Sequence, residues 1–429
     1  MAQQTPSEVE EPKWPPEATP DNGTVIHNVA DGGLKAWCTV IGGFLAIAAV
    51  FGYQNAFGVY QDVYVRSHAA SPQAVSWIGS TQLSLMVALG LPAGKLLDSG
   101  YFKVMTVTGS VIYVFSLFMV SIAHTDKYYQ LFLAQGLAAG IGAGLVYLPA
   151  VAVQSHHWRR RRPVAMGIVI SGSPVGGVVF PIMLNHLFEN PRFGFTWGVR
   201  TSAFLCLALL VLANLLMTAN PPKAKKPEPP KLTVLLKDTP YVIGVVGCTI
   251  AFWGLFFPYF YLQLFAIIKG ADPNFAFYLL SILNGSSIPG RIIPNALGQK
   301  LGLFNALVFC TFACGVLIFG LIGVNSSTGG LVTFSVLYGF FSGGFISLLP
   351  PAIASLAADD SEIGIRMGLA YFISSVGSLT GTPIDGALLG QSFAWWRPIT
   401  FSGVMMFAGL ILIVITRGIV SRRVHSMRA

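Results

Sequence analysis

Apolar residues in this chain come in long unbroken blocks, separated by short polar breaks. About 20 residues of helix span the hydrocarbon of a bilayer. Blocks of that length fall near 36–60, 74–97, 104–123, 129–153, 164–188, 197–218, 240–267, 275–298, 303–324, 330–357, 364–390 and 396–416. They predict an all-α membrane protein of twelve transmembrane helices. A Pro- and Lys-rich stretch, 219–239, divides them into a 31–218 bundle and a 240–416 bundle. Residues 1–30 are rich in Pro, Glu, Gln and Thr and lack the basic start and apolar run of a secretory signal. They predict a disordered cytoplasmic tail, with a short second tail at 417–429.

Sliding the chain against itself by 201 positions aligns Gly142, Leu148 and Pro149 with Gly343, Leu349 and Pro350. It also aligns Met166, Gly167, Ser173, Val175 and Gly176 with Met367, Gly368, Ser374, Val376 and Gly377. The lag spans six helices, an even number, so both copies face the same way across the membrane. Two parallel six-helix repeats place a substrate site between the halves near the midplane, with access alternating as the halves rock.

Composition supports a lipid environment. Hydrophobic residues make up 54% and charged residues 10%, with mean hydropathy +0.66. Soluble domains carry about 25% charged residues. The net charge of +9 does not point to nucleic acid, because the basic residues sit in short loops between apolar runs. With both termini cytoplasmic, tails and inner loops hold most of the 26 basic residues, including the Arg159–Arg162 run and Lys223 to Lys237. The outer side keeps Arg66, Lys127, Arg192, Arg200, Lys269 and Arg397. That bias follows the positive-inside rule, and the Arg159–Arg162 run suits contact with anionic membrane lipid. The five cysteines lie in apolar runs with no metal-ligand spacing. Gly140-Ile-Gly142-Ala-Gly144 lacks the strand and acidic residue of a nucleotide loop. Its glycines suit close helix packing. Pro149 and Pro350 are expected to kink helices four and ten. No ATP site, cofactor or metal is expected.

Charged and polar residues inside the spans are the candidate machinery. Arg291 lies well inside helix eight. A buried arginine is costly and faces a cavity or partner, and its planar fork fits a carboxylate or similar anion. Asp385 sits near the outer end of helix eleven. It is either a residue at a wet outer mouth or a proton carrier, with H+ as the candidate coupling ion. Asp98, at the inner end of helix two, is positioned to meet the positive N-terminus of helix eleven and gate the inner side. Asn55, Gln82, Tyr147, Asn284, Ser287 and Tyr371 are candidate substrate contacts. Phe256, Phe257 and Phe260 are candidate walls of an apolar pocket.

Several stretches carry a resemblance: Asp31-Gly32-Gly33 with Trp37; Gly94-Lys-Leu-Leu-Asp98-Ser-Gly-Tyr-Phe-Lys103; Trp158 to Pro163 with Met166-Gly167; Ser171 to Gly177; Ser347 to Ala354; Ile363 to Gly368; and Gly381 to Ile384. Together they resemble the fungal form of the monocarboxylate-transporter-like branch of the major facilitator superfamily, from about Asp31 to Arg417. Animal members carry a lysine late in helix one, where this chain has Asn55, and an aspartate in helix eight, where it has Ser287. Arg291 matches the family's arginine. The resemblance implies a secondary active or facilitative carrier of a small organic anion such as a monocarboxylate, working by alternating access. Efflux of a secondary metabolite is the alternative, and a non-transporting receptor is the second. An enzyme is not expected. The plasma membrane is the default location, with the vacuole as alternative.

Overall fold

The computed structural model describes residues 31–220, 232–324, 327–357, 362–390 and 393–423. The predicted tail 1–30, most of the linker and residues 424–429 lie outside the described residues. The described residues are helical, and twelve long helical rods follow one another up and down. They are α1 (Leu34–Arg66), α2 (Ala74–Asp98), α3 (Phe102–Ile122), α4 (Tyr128–His156), α5 (Arg162–Glu189) and α6 (Gly194–Leu216), then α7 (Thr239–Ile268), α8 (Pro273–Leu301), α9 (Leu303–Gly323), α10 (Thr328–Ala354), α11 (Ile363–Leu389) and α12 (Trp396–Arg423). Eleven are long and apolar enough to cross a bilayer by length and composition. The polar member is α8, which carries Asn284, Ser286, Ser287, Arg291 and Asn295.

The first six rods pack on one another, as do the last six. The two bundles meet along two seams, α2 against α11 and α5 against α8. These seams define two ends. The terminal end holds both described chain ends, Asp98 and the start of α11; the distal end is opposite.

At the terminal end small residues bring the halves into backbone contact. A Cβ on Gly94 would overlap the Gly364 carbonyl, and one on Gly368 would overlap the Gly90 carbonyl. The same logic governs the rejected nucleotide-like glycines: Gly142 lies against Tyr113 of α3, and Gly140 against Gln82 and Leu85 of α2.

Each half also has an aspartate just before its first helix. Asp31 accepts the backbone N–H of Arg159 at 2.6 Å and of Arg160 at 2.9 Å, tying α1 to the α4–α5 loop. Partial burial pushes its carboxyl up. The N–H groups of Arg159, Arg160 and Arg161 and the Arg161 charge outweigh that, leaving it below the usual carboxylate range. Asp238 accepts from Arg366 at 2.8 Å and from Arg423 at 3.2 Å, tying α7 to α11 and α12. These clasps hold each half together as one body.

Prolines act differently along the rods. The α-helix runs on through Pro149 in α4 and through Pro350 and Pro351 in α10. The α-helical pattern is interrupted at Leu89, Ser171 and Phe256, two or three residues before Pro92, Pro174 and Pro258. Proline lacks the N–H that would bond residue i−4, and its ring crowds that carbonyl. Rod α1 widens into a π-turn at Ala48–Gly52 and unwinds at Asn55 and Ala56. π-Bulges recur at functional sites; a second π-stretch lies in α4 at Phe132–Ala138.

Adding side-chain bulk at the terminal contact, as in Gly94→Val, should cost about 1–3 kcal/mol of overpacking. The closed-to-open ratio of that end should fall by about 5- to 150-fold. Thiol labelling of a cysteine placed at buried Leu97, in a chain stripped of its own cysteines, should speed up accordingly. An unchanged labelling rate would show that this contact does not close the end.

Candidate functional site

The halves separate toward the distal end and leave a cavity between them. Its outer part, about 510 Å³, lies between α1, α5, α7 and α8. An inner part of about 110 Å³ continues toward the centre. Asn55, Gly58, Gln263 and Leu280 line both parts, so the two form one space. Aromatic rings wall the inner part: Phe51 and Phe57 from α1, and Phe256, Tyr259 and Phe260 from α7. The expected third phenylalanine, Phe257, instead stacks on Tyr261 with ring centroids 5.6 Å apart.

Arg291 sits at the base of this space, 1% exposed. Its Nη1 donates to the Ile170 carbonyl of α5 at 2.6 Å, and its Nε donates to Ser287 at 3.3 Å. The Ile170 bond follows from the sequence. Pro174 lies four residues after Ile170 and has no N–H to offer, so that carbonyl is left for Arg291. The bond crosses the α5–α8 seam and links the two halves. Among the described residues no Asp or Glu forms an ion pair with Arg291. Its electrostatic neighbours are Tyr259 and Tyr147. A buried guanidinium without a counter-charge is costly unless a ligand supplies one.

Gln54 and Asn55 share the inner cavity lining with the arginine, and Asn284 lies behind it beside Asn55. Gln54 donates its amide to the Gly79 carbonyl at 3.0 Å, and its own oxygen has no partner. Asn284 donates to the Leu280 carbonyl at 3.0 Å, and its oxygen is likewise unpaired. Asn55 donates to Ser173 Oγ at 3.3 Å. Asn55 and Asn284 converge on Gly177 of α5, where a Cβ would lie 2.8 Å from one amide and 3.0 Å from the other. The inner part of the cavity therefore presents aromatic rings, amides and the buried Arg291, while Asp62, Arg66 and Glu189 stand around its outer part.

Of the predicted contacts, Asn55 and Arg291 line the cavity and Ser287 positions Arg291. Asn284 lies beside Asn55. Tyr147 and Tyr371 meet ring to ring across the halves at 5.7 Å, both buried. Gln82 is buried, with its backbone against Gly140 of α4. Asp98 accepts the Ile365 N–H at 2.8 Å in the first turn of α11. Asp385 is 1% exposed, so it does not sit at a wet mouth; α7, α10 and α12 pack around its helix. Gln61, Gln263 and Tyr259 line the cavity and were not singled out from the sequence. Gln263 interrupts an aromatic run, the same signal that marks Gln54.

Two like-facing six-helix bundles around a central cavity make this a membrane carrier rather than an enzyme. The family model described as Major Facilitator Superfamily matches residues 40–333. The chain belongs to that superfamily and is a multi-pass membrane transporter. The MFS-type transporter pynF of Aspergillus niger is 36% identical over 402 residues, covering 92% of this chain and 91% of its own length. The aspyridones efflux protein apdF of Emericella nidulans is 38% identical over 385 residues, 89% of this chain and 77% of its own length. The agnestins efflux protein AgnL12 of Paecilomyces divaricatus is 36% identical over 385 residues, 89% and 87% respectively. Two solved structures share the fold. The fucose:proton symporter FucP of E. coli is 16% identical with a TM-score of 0.64, covering 87% of this chain and 98% of its own. A bacterial homologue of the iron transporter ferroportin, in an outward-facing state, is 14% identical with a TM-score of 0.68, covering 90% and 99%.

The Pro174–Ile170–Arg291 arrangement makes a stability prediction. Arg291→Met strands the buried Ile170 carbonyl and should cost about 1–3 kcal/mol. Pro174→Ala returns an N–H to that carbonyl. The pair should therefore lose less than the sum of the single changes, by about 0.5–3 kcal/mol. Unfolding of purified protein in detergent measures this, and strictly additive losses would refute the link.

Proposed function

We propose that this protein exports an amphipathic secondary metabolite with an aromatic or apolar body and an acidic group. The supporting observation is Arg291, a buried cation with no carboxylate partner among the described residues, set beneath a ring of aromatic side chains. The acid pairs with the guanidinium, the apolar body lies on Phe51, Phe256 and Phe260, and polar groups of the metabolite meet the Gln54 and Asn55 side chains that line the same space. Drug-sized ligands occupy pockets of about 300–1,000 Å³. The space here falls in that range, larger than a lactate-sized monocarboxylate needs. The names of the apdF and AgnL12 relatives, each an efflux protein for a fungal metabolite, point the same way.

The basic-residue bias puts the terminal end in the cytoplasm, so the cavity opens outward, at the plasma membrane or into the vacuole. In this outward-open state Asp98 latches the inner gate by accepting from the first turn of α11, where the helix dipole favours its charge. Export proceeds by releasing that latch, admitting metabolite from the inner side and swinging the halves back.

Reconstituted vesicles supply the test, using counterflow across a panel of radiolabelled aromatic acids and small monocarboxylates. Removing the cation in Arg291→Ala should cost about 2–5 kcal/mol of binding, a loss of about 30-fold or more in apparent affinity for acids. Phe256→Ala should weaken bulky aromatic acids and spare small ones. Normal transport of acids by Arg291→Ala, or a preference for lactate over every aromatic acid, would overturn the proposal.

A further inference from the structure

A second space of about 340 Å³ lies in the distal half, bounded by α1, α2, α7 and α11. Its walls include Trp77 and Ser80 of α2, Tyr261 of α7, and Thr382 and Ala387 of α11. Gln61 of α1 lines both this cleft and the inner part of the substrate cavity, so the two spaces meet at that side chain. Tyr259, Phe260 and Tyr261 continue the link on α7: the first two rings wall the cavity and the third walls the cleft. Successive helical residues turn by about 100°, so this run carries one aromatic surface round the helix from cavity to cleft.

The seam between α2 and α11 changes character along its length. Toward the terminal end it is shut by Gly94 against Gly364 and Gly90 against Gly368, and Ser84 donates to the Ser375 carbonyl at 3.5 Å. From Ser80 outward the two helices part to form the cleft. There Gln61 donates to Ser76 Oγ at 3.2 Å and Tyr261 donates to the Thr382 carbonyl at 3.2 Å, so each bond ties a wall residue to its own half. Trp77 and Ala387 are exposed. Trp77 is the fourth residue of α2 and Ala387 the third from the end of α11, which puts both within about 6 Å of the distal rod ends. Tryptophan rings favour that depth, the membrane–water interface. Among the described residues no charged side chain lines the cleft, whereas Asp62, Arg66 and Glu189 stand around the outer mouth. An apolar body leaving by the mouth gives up its burial to water. Leaving by the cleft, it passes from rings to lipid tails.

We propose that this cleft is a side exit from the substrate cavity into the outer leaflet of the bilayer, with Gln61 at its neck and Trp77 at its rim. The apolar body of the metabolite slides along the α7 rings past Gln61, whose amide swings away from Ser76, and enters the lipid beside Trp77. The acid group follows along Ser80 and Thr382 and comes to rest among the headgroups. Export then delivers metabolite into the outer leaflet, from which it desorbs to water. The inference rests on the export reading above and deepens it by naming where the substrate goes.

Vesicles of lipids brominated high on their acyl chains, near the depth of the cleft, supply the first test, with the full chain and no metabolite present. In the cysteine-stripped chain a bimane on Gln61→Cys should be quenched several-fold more than one on Asn185→Cys, which stands at the charged mouth. Ala387→Trp, which fills the cleft, should abolish the difference, and Trp77→Ala, which widens the rim, should increase it. The second test is counterflow of pyrenesulfonate and benzenesulfonate, which stay ionised and so cross lipid slowly unaided. Ala387→Trp should slow the pyrene acid several-fold and leave benzenesulfonate unchanged, while Trp77→Ala should slow neither. Equal quenching at the two positions, or quenching at Gln61 indifferent to both variants, overturns the opening to lipid. Equal slowing of both acids by Ala387→Trp, or no slowing, overturns the exit. A wild-type chain that moves neither acid sinks the export reading instead, and the passage is then judged on the quenching alone.

Discussion

The guanidinium of Arg291 reaches across the seam between the two halves to a carbonyl that a proline has set free. Much of the cavity is organised by that contact. Pro174 interrupts α5, Ile170 is left without its helical donor, and Arg291 of α8 takes the vacancy. The bond stabilises one arrangement of the halves. It also holds a buried positive charge with no carboxylate partner among the described residues, which is stable only while hydrogen bonds and polarisable rings surround it. On the proposed export reading, a substrate anion meets a site already prepared for it, and its arrival competes with a bond between the halves. Binding and movement are linked at one residue.

The rest of the fold makes that link mechanical rather than local. Clasps at Asp31 and Asp238 tie the first helix of each half to the loop or helix that starts its gate. Each half then moves as a body. At the terminal end glycines let the backbones of α2 and α11 touch, while at the distal end α1, α5, α7 and α8 diverge around aromatic and amide side chains. Close packing tolerates few intermediate positions, which suits the two discrete arrangements that the proposed export cycle requires of each end.

The number of spans, their division into repeats and the membrane setting were legible in the sequence because hydrophobicity over 20 residues is a strong signal. Arg291 and Asn55 were legible for the converse reason: polar groups are conspicuous inside apolar runs. Other features were not. Helix α1 continues to Arg66, past its apolar block, so Gln61 fell outside the predicted span although it lines the cavity. Which proline interrupts a helix depends on its surroundings: Pro149 and Pro350 are absorbed by continuous helices, whereas Pro92, Pro174 and Pro258 are not. Tyr147, Tyr371 and Gln82 carry the composition of cavity residues but sit in packed seams, because the face a helical residue presents is set by rotation about the helix axis. Asp385 lies near the outer end of the α11 block, a position compatible with a wet mouth, yet neighbouring helices bury it.

The central claim is that two rigid six-helix bodies alternate around one cavity, one end opening as the other closes. Double electron–electron resonance tests it most directly, with spin labels at exposed Lys95 and Lys300 for the terminal end and at exposed Arg66 and Lys269 for the distal end. Across conditions that shift the population, the terminal distance should lengthen as the distal distance shortens. Distances that stay fixed, or that lengthen together, would contradict the account.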